Sequence, residues 1–379
     1  MHLIVDANIP AADACFSAFG RVTRVPGREI TRAHLRNTDA LIVRSVTPIN
    51  EALLAGTPVR FVGTCTIGTD HIDRDYLAAH GIGFASAPGC NAEAVADYVL
   101  STLLTLAERD GRPLFERRVG VIGTGNVGSR VQARLEGLGI EVAVCDPPRA
   151  EREGSAGFAG LDTLVECCDV LCLHTPLVKE GRHATRHLLD AARIAVLKPY
   201  SVVVNAGRGD CVDGQALCQR LTEQGDITAA LDVWENEPDI DAALYRQAAL
   251  ATPHIAGYSL DGKLRGSLMI HHALAEHLGK PGALALGDIC PPPALASLTL
   301  TDALPVEDAL RLCARAVYDT RRDHDALQRR AGSEGMAAGF DACRAAYPLR
   351  REFATLDVQL QGEARVLAVP LRAAGFTVA

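Results

Sequence analysis

Short apolar runs punctuate the first 90 residues: "HLIVDA", "ALIVRS", "VRFVGTCT" and "GIGFASAPG". They are β-branched and separated by segments of helical character, the pattern of parallel strands in an α/β sheet. A long amphipathic helix follows in "GCNAEAVADYVLSTLLTLAER", with Asn91 or a neighbour as its cap. The alternation then restarts with "RVGVIGTGNVG", "EVAVCDP", "DVLCLHTP", "SVVVNAGRG", "ITAALDVW" and "ALATPHIAG". Six such runs joined by helical stretches make a complete doubly wound sheet. The segment "LRGSLMIHHALAEHLG" reads as another helix, and the Pro/Gly-rich "GKPGALALGDICPPP" predicts a boundary near residues 280–293. Beyond it, "PVEDALRLCARAVYDTRRDHDALQRR" predicts one charged amphipathic helix and "FDACRAAYPLRREF" a shorter one. "DVQLQ" and "VLAVPLRAAGFTV" predict closing strands, so the tail reads as a small α+β module.

Composition narrows the function classes. The 379 residues exceed one ordinary core, and 48% apolar with 22% charged residues describes a soluble globular chain. A formal charge of −8 argues against a nucleic-acid binder, which needs a basic face. No secretion signal and no membrane-length apolar run is visible. The twelve cysteines lack paired metal-ligand spacing, so no metal is expected; they read as reduced thiols of a cytoplasmic protein.

In "VGVIGTGNVGSR", Gly123, Gly125 and Gly128 hold G-x-G-x-x-G spacing. Alone this is weak. Here branched apolar residues precede it, and Val127, Val131, Leu135 and Leu138 follow at helical spacing, the strand–turn–helix context of a dinucleotide site. Glycines let the backbone approach a pyrophosphate at a helix N-terminus. Asp146 ends the next strand, where its carboxylate can accept ribose hydroxyls and repel a 2′-phosphate. NAD is therefore favoured over NADP, with Arg149 nearby as the opposing sign.

Three later strand ends carry polar residues: Arg208 in "VVVNAGRGD", Asp232 and Glu237 in "AALDVWENEP", and His254 in "ATPHIAG". Singly, these read equally well as a surface cation, a solvated acid and a core histidine. Behind a dinucleotide fingerprint, all three segments should face the ligand crevice at the carboxyl ends of the strands. The residue types suit oxidation of a secondary alcohol. A neutral histidine can take the hydroxyl proton. A carboxylate can fix the ring and stabilise the imidazolium, and a guanidinium can hold an α-carboxylate.

The ordered set GTGNVG, HTP, NAGRG, LDVWENEP and TPHIAG resembles the D-2-hydroxyacid dehydrogenase family over about residues 1–280. The resemblance implies a doubly wound NAD-binding domain inserted into a flavodoxin-like substrate domain, with the small C-terminal α+β module appended. It implies a substrate domain of residues 1–92 and 256–285, an NAD-binding domain of 93–255 and a dimerisation domain of 286–379. Arg208, Glu237 and His254 become the catalytic residues. Cofactor contacts map onto Gly123, Gly125, Asn126, Val127, Gly128, Asp146, Thr175, Ala206, Gly207, Arg208, Asp232 and Gly257. On the substrate side, "VRSVTPIN" offers Ser45 and "GTCTIGTDHID" offers Thr66, although both also read as ordinary turn residues. Within the family, "GTCTIGTDHID", "TPHIAGYS" with Tyr258, and "YPLRREF" are similar to a branch acting on a phosphorylated 2-hydroxyacid as a homodimer built on the C-terminal domain. Tyr258 either hydrogen-bonds the substrate or packs against its loop. The phosphate-binding cation stays open among Arg44, Lys263, Arg265, Arg350 and Arg351. The alternatives are another 2-hydroxyacid, a regulatory tail and a non-enzymatic NAD-sensing corepressor scaffold.

Overall fold

Every strand pair in the protein is parallel. Each strand therefore needs a crossover to the next, and all carboxyl ends of a sheet emerge along one edge. The computed structural model describes residues 1–379 and contains two compact units: Met1–Asn91 with Ser259–Pro292, and Ala92–Tyr258 with Pro293–Ala379. Both units are thus discontinuous in sequence: Ala92–Tyr258 interrupts the first, and Pro293–Ala379 follows it.

The first unit holds β1 (His2–Asp6), β2 (Arg21–Val25), β3 (Ala40–Val43), β4 (Phe61–Thr64) and β5 (Gly83–Ala85), in the order β2-β1-β3-β4-β5. Leu3, Val5, Ile42 and Phe61 pack on one face with Ile270 and Leu274 of the helix Leu260–His277. Ile4, Leu41, Val43 and Val62 pack on the other with Leu54 and Leu77. Burial on both faces explains the unbroken apolar runs of the inner strands. The edge strand β2, "RVTRV", exposes Arg21 and Arg24 and has no such run, so the apolar pattern misses it.

In the second unit β6 (Val119–Ile122), β7 (Val142–Cys145), β8 (Val170–Leu173), β9 (Val202–Asn205), β10 (Thr228–Leu231) and β11 (Leu250–Ala251) take the order β11-β10-β9-β8-β6-β7. The six expected runs form these six strands. The order reverses between β6 and β8, which opens a crevice there at the carboxyl edge. The helix Ala92–Asp110 is buried along nearly all its length. Asn91 does not cap it: its Oδ1 is buried and makes no hydrogen bond.

The tail departs most from its sequence pattern. The stretch read as one helix is two, Val306–Val317 and Thr320–Glu334. Asp319 breaks it by accepting from the Arg321 amide as an N-cap, while Tyr318 turns extended and buries its ring. Most of "VLAVPLRAAGFTV" is helical, through Ala368–Ala373, because its apolar residues Leu367, Leu371 and Ala374 face the core at helical spacing. Only β14 (Thr377–Val378) is strand. It pairs with β13 (Asp357–Leu360), which pairs with β12 (Ser297–Leu300).

Pro293–Ala379 lies in the same compact unit as Ala92–Tyr258 and shares its core. Leu310, Cys313, Tyr318, Phe353, Val358 and Leu371 join Val95, Val99, Leu103, Val119 and Val204 in one cluster. A buried ion pair reinforces the join. Arg134 Nη1 reaches Asp97 Oδ1 at 2.5 Å and its Nη2 reaches Glu93 at 2.7 Å. The second Asp97 oxygen accepts from the Phe353 amide at 2.9 Å. Breaking one partner of such a pair costs about 3–5 kcal/mol, because the other charge stays buried. All twelve cysteines are free, nine of them buried, and no helix is long and apolar enough to cross a membrane.

Candidate active site

The loop after β6 is built by its glycines. Gly123 has φ +83°, in the left-handed region, and a Cβ on Gly128 would stand 1.9 Å from the Gly123 carbonyl oxygen. The helix Gly128–Gly137 can therefore start directly against the strand end. Gly125 and Asn126 are exposed, and nothing lies within 4 Å of a Cβ placed on Gly125. Val127 packs partly against the core beneath. Asp146, at the end of β7, accepts from the Thr124 amide at 2.8 Å and the Thr124 hydroxyl at 3.2 Å. It also caps the helix Pro147–Glu153 through the Arg149 amide at 2.9 Å. Two carboxylate oxygens offer about four acceptor positions, so these bonds leave room for a ribose hydroxyl. Arg149 is turned to Glu153 at 2.9 Å, which reduces its pull on a 2′-phosphate.

On the other side of the reversal, the loops after β8 and β9 approach closely. A Cβ on Gly207 would meet the Thr175 carbonyl oxygen at 3.0 Å, and the Gly207 amide donates to Asn205 Oδ1 at 3.1 Å. The Thr175 hydroxyl donates to Cys211 Sγ at 3.3 Å. Next to it, both ring nitrogens of His174 are buried without a partner, and burial holds its pKa down at about 4. His174 is therefore neutral and adds no charge to the crevice. An open glycine turn at a helix N-terminus, with a carboxylate at the next strand end, fits the pyrophosphate and ribose of NAD.

The catalytic candidates follow β9, β10 and β11, neighbouring strands of the sheet, and two of them are in contact. His254 Nδ1 lies 2.7 Å from Glu237 Oε2. An ionised carboxylate only accepts, so Nδ1 carries the hydrogen of the neutral ring and Nε2 presents its lone pair. No protein group bonds Nε2, and the side chain is 35% exposed. Glu237 is itself held, since its Oε1 accepts from the Trp234 amide at 2.9 Å. The Trp234 indole donates to the Thr252 carbonyl at 3.0 Å and ties the two segments together. Arg208 is half-buried beside Ala206 and donates to the Gly207 carbonyl at 2.8 Å. It makes no salt bridge.

His254 stands at φ +56°, an uncommon conformation outside glycine that surrounding contacts must hold. Asp232 does much of this. Its carboxylate is 1% exposed and accepts from the Ile255 amide at 2.8 Å, the Ala256 amide at 2.9 Å and the Thr252 hydroxyl at 2.7 Å. Burial pushes its pKa up, against the lowering by His254 and by these hydrogen bonds. The Tyr258 hydroxyl accepts from Arg344 Nε at 3.2 Å, and its ring stands edge-on to Tyr347 at 5.5 Å.

Ser45 and Thr66 lie in the first unit, after β3 and β4. Ser45 is exposed in its turn. The Thr66 hydroxyl shares a 2.7 Å hydrogen bond with Thr64, which contacts His71 Nε2 at 3.1 Å. The cations differ sharply. Arg44 pairs with the fully buried Asp6 at 2.9 Å, and Arg265 donates to the Cys90 carbonyl. Burial and then the charge of Arg44 lower the pKa of Lys263. Arg351 is buried. Arg350 is withdrawn from the phosphate candidates. It is 1% exposed, stacks 3.5 Å over the Tyr318 ring, and gives its hydrogens to the backbone carbonyls of Ala94 and Ala256. Sequence reasoning did not connect Arg344 and Arg350 with the His254 segment. The only signal was the density of arginine and aromatic residues in "RAAYPLRREF".

Residues 96–256 match the family model of the D-isomer specific 2-hydroxyacid dehydrogenase NAD-binding domain. Residues 289–371 match a domain of unknown function, DUF3410. An erythronate-4-phosphate dehydrogenase of Chromohalobacter salexigens is 55% identical over 378 residues, covering 100% of this chain and 99% of that protein. One of Pseudomonas fluorescens is 50% identical over 378 residues, with 99% of each chain covered. A D-lactate dehydrogenase of Aquifex aeolicus, solved with NAD and lactic acid, superposes with a TM-score of 0.57 at 25% identity, over 74% of this chain and 96% of that one. The chain belongs to the erythronate-4-phosphate dehydrogenase family, within the D-isomer-specific 2-hydroxyacid dehydrogenases.

Proposed function

We propose that this protein oxidises 4-phospho-D-erythronate to 2-oxo-3-hydroxy-4-phosphobutanoate with NAD, a step of pyridoxal phosphate biosynthesis. The full-length identity to erythronate-4-phosphate dehydrogenases supports the substrate. The observation that carries the chemistry is the Glu237–His254 pair with its open Nε2. NAD, when bound, supplies the hydride acceptor. Nε2 takes the proton of the substrate 2-hydroxyl, and Glu237 stabilises the imidazolium that results. Arg208 receives the α-carboxylate and polarises the adjacent oxygen, and Ser45 and Thr66 are the substrate contacts proposed for the first unit. The Gly123–Gly128 turn and Asp146 hold the cofactor, with Thr175, Ala206, Gly207, Asp232 and Gly257 contributing around it. Tyr258 would meet the substrate through the hydroxyl that Arg344 already engages.

For the distal phosphate, Arg44 and Lys263 are the favoured cations. The charge of Arg44 helps hold the partly buried ammonium below its usual pKa, a situation a phosphate dianion relieves. The protein is further proposed to be a cytoplasmic homodimer built on the C-terminal domain. Free buried thiols suit a reducing compartment. Leu349, Val366 and Val369 are 66%, 70% and 71% exposed on that domain, apolar side chains that a second copy would cover.

His254→Ala should lower turnover of 4-phosphoerythronate about 100- to 10,000-fold while NAD affinity stays the same. Near-wild-type turnover would remove His254 as the base. Lys263→Met should cost about one to two decades in kcat/KM for 4-phosphoerythronate, the range of a charge-assisted contact. Unphosphorylated erythronate should lose nothing, and equal losses on both acids would return the phosphate to another cation. The pair Val366→Asp and Val369→Asp should give monomers in sedimentation, and an unchanged dimer would place the interface elsewhere.

A further inference from the structure

Arg350 presents an unusual commitment of a buried charge. Its guanidinium is sealed from water, and no carboxylate hydrogen-bonds it. The compensating charges are Asp97 and Asp323, and Asp323 is occupied by the hydroxyls of Tyr318 at 2.9 Å and Tyr347 at 2.7 Å. The Arg350 hydrogens go instead to backbone oxygens, Ala256 at 2.9 Å, Ala94 at 2.5 Å and, at the long limit, Ile255 at 3.5 Å. Desolvating a guanidinium is expensive, so the place where its donors point is informative.

Ala256 lies two residues past His254. The amides of Ile255 and Ala256 are already taken by Asp232 from one side. Arg350 takes the Ala256 carbonyl from the other, so this peptide stretch is held on both of its polar edges. Two residues further on, Arg344 engages the Tyr258 hydroxyl. Both arginines come from the C-terminal domain, and together they grip the two ends of the segment Ala256–Tyr258.

We propose that Arg350 and Arg344 are positioning residues for His254: the C-terminal domain fixes the backbone that aims the imidazole, and so takes part in catalysis beyond any role in assembly. The proposal rests on reading His254 as the acid/base. A planar guanidinium that stacks on Tyr318 and donates along two directions cannot be replaced by an ammonium, which is a point charge on a flexible stem. Misplacing a reacting group by about 1 Å can cost about 100-fold.

The test compares Arg350→Lys and Arg344→Gln with Arg134→Lys, a buried arginine of the same unit bonded only to Asp97 and Glu93. Single-turnover NADH formation at saturating 4-phosphoerythronate is measured below the melting temperature of each variant, with KM and NAD affinity alongside. Arg350→Lys should slow the single turnover about 10- to 100-fold. Arg344→Gln should slow it several-fold; both should leave NAD affinity within about 2-fold of wild type, and Arg350→Lys should leave KM there as well. Arg134→Lys should lower the melting temperature without slowing the step. Because Arg344 is only half-buried, Arg344→Gln carries the test alone if Arg350→Lys yields no folded protein. A wild-type rate in the arginine variants, or a loss matched by Arg134→Lys, overturns the proposal. His254→Ala under the same assay separates the two ideas. If it stays fast, the acid/base reading fails; if it is slow while the arginine variants are fast, only the positioning role fails.

Discussion

The carboxylate of Asp232 is the contact on which the site depends. Buried at the end of β10, it collects three donors, the amides of Ile255 and Ala256 and the hydroxyl of Thr252. A buried carboxylate is tolerable only when its oxygens are satisfied, and here the partners are the two amides after His254 and the hydroxyl of Thr252 before it. The histidine is thereby held at a positive φ that an unsupported loop would abandon. Glu237 then needs to fix only the ring, through one 2.7 Å hydrogen bond. Main-chain and side-chain geometry are set by different acids from one loop, and the Trp234 indole ties that loop to Thr252.

The parallel sheet determines where this can happen. With all strands running one way, the polar residues after β6 to β11 emerge at one edge, and the reversal between β6 and β8 opens the crevice there. The glycine turn lies on one side of that reversal and the Thr175–Gly207 approach on the other. The C-terminal domain contributes from the side of the core. Its apolar residues complete one cluster with the helix Ala92–Asp110, and its arginines reach the His254 segment from behind.

Much of this was legible in the sequence, for physical reasons. The inner strands are buried on both faces and therefore read as unbroken apolar runs, and Gly123, Gly125 and Gly128 mark a turn that side chains would obstruct. The polar residues Arg208, Glu237 and His254 stand out because each follows an apolar strand run within a few residues. What was illegible depends on contacts distant in sequence. The edge strand β2 is too polar to register. The break at Tyr318–Asp319 seats the Tyr318 ring against Arg350, a partner more than 30 residues away. Arg350 looks like any surface arginine until the fold seats it against Ala256, and Lys263 is distinguished from the other cations only by its proximity to Arg44.

Amide hydrogen exchange reads directly how firmly the backbone after His254 is held. Amides bonded inside a stable core exchange only when the whole unit opens, whereas loop amides exchange through local fluctuation. The amides of Ile255 and Ala256 should be as protected as those of β9 and β10, although they lie outside any strand. Exchange at the rate of the exposed loop around Asn236 would mean that Asp232 and Arg350 do not fix the segment that aims the histidine.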